Sequence, residues 1–436
     1  MTISPFEERY RTDMNAIFDD RAKLAKWMAV EVALAKAHAR LGNVPAGVPP
    51  RISAAAQKVT LERVLDIEAE IHHDLMAMVR ALTEQAGDAG RYVHLGATSY
   101  DIEDTATALI FIDAVGLLET RMEKLGGELK RLALKHKKTV CIGRTHGQHA
   151  VPTTYGMKFA LYYQELERGR ERLRDARKRI AVGKMSGAVG TMATFGRDGP
   201  KIQKMVMQEL GLSEAKVTNQ VIQRDRHAEV LCVLALIAAL MEKMAREIRN
   251  LQRTEIGEVA EPFTSKQVGS STMPHKRNPH KSERVCSLAR VVRANVMVAM
   301  ENIALEHERD LTNSANEREI FPESFVAVDY MVGEMTGILA GLVFYPENIR
   351  RNLEMTRGLV MAERVMIYLT EKKGMGRQDA HELVRTLAQE AFAGGLHLKD
   401  LLVERKVLDR NEAAELFDYT TYIGQAEKIV EDAVRD

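Results

Sequence analysis

One short segment of the chain concentrates side chains that could bind an anion and remove a proton. Residues 269–279 read Gly-Ser-Ser-Thr-Met-Pro-His-Lys-Arg-Asn-Pro. The glycine and serines supply backbone N–H groups and hydroxyls, while the two prolines exclude a helix and stiffen the peptide. Lys276, Arg277 and Asn278 add cationic and amide donors, and an apolar-periodic helix begins near Ser282. Cations, N–H groups and a helix N-terminus at one place suit an anionic ligand.

Composition alone leaves two interpretations of this segment open. It could be a polar turn between helices whose basic residues are together by chance, or a weak patch of the nuclear-localisation type. It could instead be a reactive site, because a serine hydroxyl surrounded by cations and N–H groups loses its proton at a tolerable cost.

A second candidate for chemistry is the segment 143–154, Gly-Arg-Thr-His-Gly-Gln-His-Ala-Val-Pro-Thr-Thr. His146 and His149 have an H-x-x-H spacing, which some metal sites use. A glycine lies between them, however, and no third ligand of the H-E-x-x-H kind follows. A histidine between threonine and glycine in a turn is more consistent with an exposed acid or base. We therefore expect proton transfer by His146 and no metal.

These two segments resemble the signature sequences of the fumarase/aspartase superfamily, Gly-Ser-Ser-x-Met-Pro-x-Lys-x-Asn and Gly-Arg-Thr-His-Gly-x-His-Ala. The His-Lys-Arg-Asn-Pro form of the first is similar to the adenylosuccinate lyase branch. The resemblance is continuous from about Arg9 to about Arg364 and weaker beyond. It implies an all-α chain of three domains (1–93, 94–343 and 344–436), with a long central helical bundle in the second. It also implies a homotetramer in which each active site takes segments from three chains.

The same resemblance implies a reaction, the β-elimination of fumarate. The expected substrates are adenylosuccinate, which gives AMP, and the succinylated aminoimidazole carboxamide ribotide of purine biosynthesis. Ser270 matches the family's base, and Lys276 and Asn278 would hold the carboxylate whose charge grows. His146 matches the family's acid, with Glu283 stabilising its imidazolium. No metal or organic cofactor is implied.

Further matches provide ligands for a phosphate and two carboxylates. His73 is the expected helper near the phosphate or the leaving group, although the family's arginine before it is His72 here. Ala315 replaces the second serine of a Ser-Ser-x-x-Arg pattern. The expected substrate-binding residues are Arg9, Tyr10, His72, Asp74, Thr98, Ser99, Gln220, Ser271, Arg277, Asn278, Arg309, Ser314 and Arg318.

Several of these residues also have purely structural explanations. The sequence from Thr98 to Asp101 fits a capping box that opens a long helix. The adjacent histidines could be surface residues of one helix over 61–86, and residues 224–226, Arg-Asp-Arg, could form an ion-pair cluster.

Two other functions compete with the lyase. A carboxymuconate cycloisomerase-like enzyme shares much of the signature segment, but the matches at Arg9-Tyr10, His73-Asp74 and His146 favour the lyase. A non-catalytic structural protein, such as a lens crystallin, belongs to a different class. The base, the acid and the cation are all present, which argues against it.

Composition and hydrophobic periodicity set the framework for these residues. Ala, Leu, Glu, Lys, Arg and Met dominate, which favours helices. Apolar spacing predicts helices over 22–41, 61–86, 101–138, 158–180, 228–255 and 283–308.

Charge and cysteine usage exclude several classes of protein. The 62 basic and 61 acidic residues give a net charge of +1, which argues against a nucleic-acid partner. The longest apolar run, residues 230–241, is too short to span a membrane. The three cysteines, Cys141, Cys232 and Cys286, are an odd number without C-x-x-C spacing, as expected for reduced thiols in the cytoplasm.

Overall fold

The computed structural model describes residues 4–264 and 269–435, and helices dominate them. The helices are α1 Asn15–Phe18, α2 Asp20–Arg40, α3 Val48–Ala56, α4 Leu61–Ile71, α5 Asp74–Ala86, α6 Ser99–Lys135, α7 Tyr155–Ile180, α8 Gly199–Leu210, α9 Asp225–Leu251, α10 His280–Glu301, α11 Ser314–Ala340, α12 Pro346–Glu354, α13 Ala362–Lys373, α14 Arg377–Gly394, α15 Leu398–Glu404, α16 Arg410–Leu416 and α17 Ala426–Ala433. The predicted all-α class is confirmed.

Short strands accompany the helices. The strands are β1 Val140–Thr145, β2 Gln148–Thr154, β3 Val182–Gly183, β4 Ser213–Glu214, β5 Val259–Ala260 and β6 Val343–Phe344. They pair as antiparallel β1–β2, parallel β3–β4 and antiparallel β5–β6. The β1–β2 hairpin is the longest pairing and carries His146 at its turn.

The predicted single helix over 61–86 is wrong, because the structure breaks it at the two histidines. His72 adopts the left-handed conformation, with φ of 54°, and ends α4. His73 is extended and begins the cap of α5, where its Nδ1 accepts a hydrogen bond from the Met76 N–H at 3.5 Å. The break places both rings beside the end of one helix and the start of the next, rather than along one helical face.

The predicted helix over 283–308 is also too long at its C-terminal end, since α10 ends at Glu301. The amides of Asn302 and Asn316 exchange two hydrogen bonds, of 2.6 and 3.0 Å, which tie this end to the first turn of α11. The intervening segment, 302–313, is therefore a connection between helices, and it carries Arg309.

The chain divides into two compact units, each made of three segments. Unit 1 comprises Met1–Glu123, Arg168–Met241 and Ser287–Gly333. Unit 2 comprises Lys124–Glu167, Glu242–Cys286 and Glu334–Asp436. The three-domain division by sequence position stays a prediction.

Unit 1 has a helical core with an aromatic centre. The ring of Phe111 on α6 meets Phe321 and Phe325 of α11 edge-on, at centroid distances of 5.1 and 5.2 Å. His227 stacks on Phe321, and burial lowers its pKa to about 3, so this histidine is neutral. His227 is thus a packing residue of the core.

Unit 2 is organised around a buried carboxylate, that of Glu258. It accepts hydrogen bonds from Arg144 at 2.5 Å, from the Tyr155 hydroxyl and from Asn352 at 2.8 Å. These donors come from β1, the start of α7 and α12, so one acid fixes the base of the β1–β2 hairpin. In addition, Ile142 of β1 packs into the hydrophobic core that the C-terminal helices form.

Across residues 4–264 and 269–435, every helix is too short or too polar to cross a bilayer.

The aromatic centre of unit 1 gives a stability prediction. We expect Phe111→Ala to lower the free energy of unfolding by about 3–5 kcal/mol, because it leaves a cavity among rings that are fully buried. Phe392→Ala is the matched control, because Phe392 is 78% exposed to solvent. Its change should stay within about 0.5 kcal/mol. Urea unfolding followed by circular dichroism measures both, and equal losses would contradict the packing described.

Candidate active site

The segment that opens α6 presents two hydroxyls. Asp101 Oδ2 accepts a hydrogen bond from the Thr98 N–H at 2.9 Å, which is one half of a capping box. The other half would be a hydrogen bond from the Asp101 N–H to the Thr98 hydroxyl, but that N–H donates to the Thr98 carbonyl at 2.9 Å. Across residues 4–264 and 269–435, the hydroxyls of Thr98 and Ser99 form no hydrogen bond. The backbone is capped, and both hydroxyls are left for a ligand.

Asp101 also anchors this segment to the glycine-rich stretch 183–191. Its carboxylate is completely buried and pairs with the equally buried ammonium of Lys184. It accepts two further hydrogen bonds, from the N–H groups of Ser186 at 2.9 Å and Gly187 at 3.1 Å. The Ser186 hydroxyl in turn bonds the hydroxyl of Thr218 at 2.7 Å, just before Gln220. The stretch therefore holds two ligand-bearing segments in place.

Unit 1 contains a cavity of about 490 Å³ beside these hydroxyls. Nine of the residues predicted from the sequence line it, namely His72, His73, Asp74, Thr98, Ser99, Gln220, Arg309, Ser314 and Arg318. Four other lining residues were not predicted, namely Glu68, Tyr100, Glu103 and Leu311. The structure thus brings together, within one unit, residues that are more than 200 positions apart in the chain.

Arg309 is the best-placed cation in this cavity. Its guanidinium carbon lies 3.6 Å from the centroid of the Tyr100 ring, and its Nη1 donates to Gln220 Oε1 at 2.9 Å. Its Nε and Nη2 are buried and have no hydrogen-bond partner within the part of the chain that the structure describes. Two donors held in a fixed plane suit a phosphate or carboxylate.

Arg318 supplies a second positive charge, paired with Asp74 at 2.6 Å. Burial opposes ionisation of Asp74, but the hydrogen bond and charge of Arg318 outweigh it and lower its pKa. The pair is therefore ionised at neutral pH. About half of the Arg318 side chain remains exposed, so its other nitrogens can reach a ligand.

Glu103 is the residue of this cavity that sequence reasoning missed most clearly. Burial, together with the charges of Asp74 and Asp104, raises its pKa to about 8. It stands four residues after Ser99 and hence on the same face of α6. That spacing was a usable signal.

The residues Arg224 and Arg226 have structural roles. Arg224 is buried and donates to Asp104 at 2.9 Å and to Glu317 at 2.8 Å. Burial opposes its charge, but these two carboxylates outweigh burial and raise its pKa. Arg226 donates to the carbonyl of Arg179 at 3.0 Å. The ion-pair explanation of this motif fits the geometry.

Arg9 and Tyr10, at the start of unit 1, are not among the residues that line the cavity. Arg9 is exposed, and the Tyr10 ring packs against Tyr330 at a centroid distance of 5.2 Å. Their assignment as substrate ligands stays a prediction.

In unit 2, His146 occupies the tip of the β1–β2 hairpin. His146 and Gly147 form a two-residue turn with φ of 55° and 75°, the conformation of a type I′ turn. A histidine in this conformation is uncommon, and such strain is often found at functional positions. The ring is exposed. Within residues 4–264 and 269–435, His146 does not belong to any cluster of His, Cys, Asp or Glu side chains that could hold a metal ion.

The signature segment folds back on itself around Ser270. Ser270 Oγ accepts hydrogen bonds from the N–H groups of Met273 at 3.1 Å and Thr272 at 3.4 Å. Asn278 Nδ2 closes the segment by donating to the Gly269 carbonyl at 2.8 Å. A Cβ at position 269 would lie 2.0 Å from the Lys276 carbonyl oxygen, so only glycine fits there. Two N–H groups aimed at one oxygen favour its ionised form.

The remaining predicted residues of this segment face outward. Ser271, Lys276 and Arg277 are exposed, and the Arg277 guanidinium carbon lies 5.4 Å from the centroid of the Phe263 ring. They are therefore accessible to a charged ligand.

Glu283 lies in the first turn of α10, which another carboxylate positions. Glu261 accepts hydrogen bonds from the Lys281 N–H at 3.2 Å and from the Ser282 N–H and hydroxyl at 3.0 and 2.9 Å. Glu283 itself is exposed. Throughout the described ranges, His146 and Glu283 of one chain form no hydrogen bond or ion pair with each other.

Comparison with known proteins decides the family. Residues 8–294 match the family model described as Lyase, and residues 358–433 match the one described as Adenylosuccinate lyase C-terminus. The adenylosuccinate lyase of Pyrococcus abyssi is 55% identical over 100% of this chain and 98% of its own length. The adenylosuccinate lyase of Bacillus subtilis is 40% identical over 97% of this chain and 98% of its own length. The chain belongs to the adenylosuccinate lyase family.

Solved structures agree with this membership of the fumarase/aspartase superfamily. The 3-carboxy-cis,cis-muconate lactonizing enzyme of Pseudomonas putida is 36% identical, with a TM-score of 0.91, over 99% of this chain and 98% of that one. The fumarate lyase of Mesorhizobium sp. BNC1 is 32% identical, with a TM-score of 0.90, over 98% of both. The similarity to the adenylosuccinate lyase family also continues beyond residue 364, where the sequence motifs were weaker.

The buried pair of Lys184 and Asp101 gives a second prediction. We expect Lys184→Met to lower the free energy of unfolding by about 3–5 kcal/mol, because it strands a buried carboxylate. Lys178→Met is the matched control, since Lys178 pairs with Asp175 on the surface at 2.9 Å and its loss should cost less than about 1 kcal/mol. Urea unfolding monitors both variants. A small effect at Lys184 would show that Asp101 does not need this partner.

Proposed function

We propose that the chain catalyses the β-elimination of fumarate from adenylosuccinate and from the succinylated aminoimidazole carboxamide ribotide. The observation that carries the proposal is the pair of N–H donors on Ser270 Oγ, within a segment that has the family's signature sequence. Full-length identity to adenylosuccinate lyases supports the choice of substrate.

Ser270 is the proposed base. The reaction removes a proton from a carbon next to a carboxylate, which builds a doubly charged aci-carboxylate. An ordinary serine is a poor base at neutral pH, but the N–H groups of Thr272 and Met273 stabilise its oxyanion. Lys276 and the second N–H of the Asn278 amide then meet the growing charge on the substrate.

His146 is the proposed acid, which protonates the departing nitrogen as the carbon–nitrogen bond breaks. His146 is exposed at a hairpin tip, so a substrate can reach it. Glu283 would stabilise the imidazolium. Because the two side chains form no bond within the described part of one chain, we propose that they meet across chains.

The cavity of unit 1 is the proposed phosphate site. Arg309 offers two unpaired nitrogens, and Arg318 offers the exposed side of its guanidinium. The hydroxyls of Thr98, Ser99 and Ser314 stand at the N-termini of α6 and α11, which favour anions. His73 lies on the same wall and is the proposed helper near the phosphate or the leaving group.

A homotetramer with shared active sites is the proposed assembly. Large apolar side chains are exposed on the long helices, including Leu161 at 51%, Leu236 at 54% and Met297 at 66%. Such exposure on well-formed helices is typical of surfaces that associate. We further propose a cytoplasmic location, because the three cysteines are free thiols.

A second candidate function is the lactonisation of carboxymuconate. It is favoured by the structural similarity to the Pseudomonas putida enzyme, at a TM-score of 0.91. The adenylosuccinate lyases are more similar in sequence, at up to 55% identity among those compared, and so the lyase reaction ranks first.

The direct test is to incubate purified protein with adenylosuccinate and to quantify AMP and fumarate together. We expect equal release of both. A parallel incubation with 3-carboxymuconate tests the second candidate. Well-folded protein that releases neither AMP nor fumarate would overturn the proposed function.

The proposed base gives a third prediction. Ser270→Ala should lower kcat by roughly two to four orders of magnitude, the usual contribution of a general base. Ser271→Ala is the matched control, because it removes an adjacent exposed hydroxyl that lacks this pair of N–H donors. Its kcat should fall by no more than about tenfold. Size-exclusion chromatography checks that the assembly is intact, and near-normal turnover of Ser270→Ala would remove Ser270 from the base role.

A further inference from the structure

We propose that Glu103 binds the substrate's phosphate as a neutral hydrogen-bond donor, so that nucleotide binding at alkaline pH takes up one proton per site. The inference rests on the proposed function, since it takes the cavity of unit 1 to be the phosphate site. It adds a binding residue and a pH dependence to that site.

The position of Glu103 is the first support. It lies on α6, one helical turn after Ser99, and lines the cavity together with Ser99, Arg309 and Arg318. It also lines a second cavity of unit 1, of about 310 Å³, which shares Tyr100, Ser314 and Arg318 with the first. Within residues 4–264 and 269–435, its carboxyl group has no hydrogen-bond or ion-pair partner. Glu103 is half-buried and lines the cavity, so its unpartnered carboxyl group is within reach of a ligand there.

The charges around Glu103 are the second support. Asp74 of α5 and Asp104 of α6 face it with negative charge, while Arg318 of α11 and Arg309 of the segment 302–313 face it with positive charge. The cavity walls beyond these add His72, His73 and Glu68 on one side. The second cavity adds Lys23, Asp20, Arg224 and Glu317 on the other.

These surroundings favour the neutral carboxyl group. Burial, the Asp74 charge and the Asp104 charge together raise the pKa of Glu103 to about 8, and the two arginines do not offset them. A phosphate monoester is a dianion above about pH 7, since its second pKa is about 6. An ionised Glu103 would repel this dianion, whereas a protonated Glu103 can donate a hydrogen bond to it. Bound phosphate must therefore raise the pKa of Glu103 further.

The direction of the pH effect follows from this linkage. Below about pH 8 Glu103 is already protonated in the free protein, so binding takes up no proton and affinity is independent of this group. Above that pH the free protein has lost the proton and binding must restore it. Affinity should then fall by up to about tenfold per pH unit.

Calorimetric titration of the intact oligomer with AMP tests the proposal. Titrations at about pH 7 and about pH 9, each in two buffers of different ionisation enthalpy, give the number of protons taken up. We expect an uptake close to zero at the lower pH and approaching one per site at the higher. Glu103→Gln keeps a hydrogen-bond donor but cannot titrate, so it should bind AMP with no uptake and a flat pH dependence.

Glu68→Gln is the matched control, because it removes another carboxylate from the same cavity and should leave the proton uptake in place. Absence of proton uptake by the wild-type protein would overturn the proposal, whatever the variants do. Unchanged uptake by Glu103→Gln would overturn it as well. Failure of the wild-type protein to bind AMP at either pH would instead overturn the phosphate-site assignment on which the proposal rests.

Discussion

The buried pair of Asp101 and Lys184 is the interaction on which the cavity of unit 1 depends. One carboxylate caps the segment that carries Thr98 and Ser99, and it also holds the glycine-rich stretch through an ammonium group and two N–H groups. Because Asp101 satisfies the backbone at the start of α6, the two hydroxyls there stay available to a ligand. The buried charges of Asp101 and Lys184 therefore position neutral hydroxyl groups that can bind a ligand.

Unit 2 follows the same principle with different residues. Glu258 fixes the base of the β1–β2 hairpin, and Glu261 fixes the first turn of α10. The residues proposed to react, His146 and Ser270, stand on the turn and segment that these acids support. Buried carboxylates thus hold the elements that carry the accessible side chains proposed to transfer protons. This division explains how a mostly helical chain can present reactive groups on short connections.

Much of the fold and of the site could be predicted from the sequence. Apolar periodicity located the long helices, and the family resemblance identified nine residues of one cavity. The break at His72 was not predictable from periodicity, because one residue in the left-handed conformation does not disturb the apolar spacing on either side. The pair of Asp101 and Lys184 was missed because its members are 83 positions apart. The spacing from Ser99 could have placed Glu103 beside the hydroxyls, but the charges that folding gathers around it could not be predicted.

The central proposal is that the active site is shared, with His146 of one chain meeting Glu283 of another, whose adjoining segment carries Ser270. Mixing His146→Asn with Ser270→Ala, after dissociation and reassembly of the oligomer, tests it most directly, since asparagine tolerates the turn conformation at position 146. Each variant alone should be nearly inactive. Random mixing of equal amounts should restore about a quarter of wild-type activity, because about one site in four then receives both native residues. Mixed oligomers that form but stay inactive would contradict the claim.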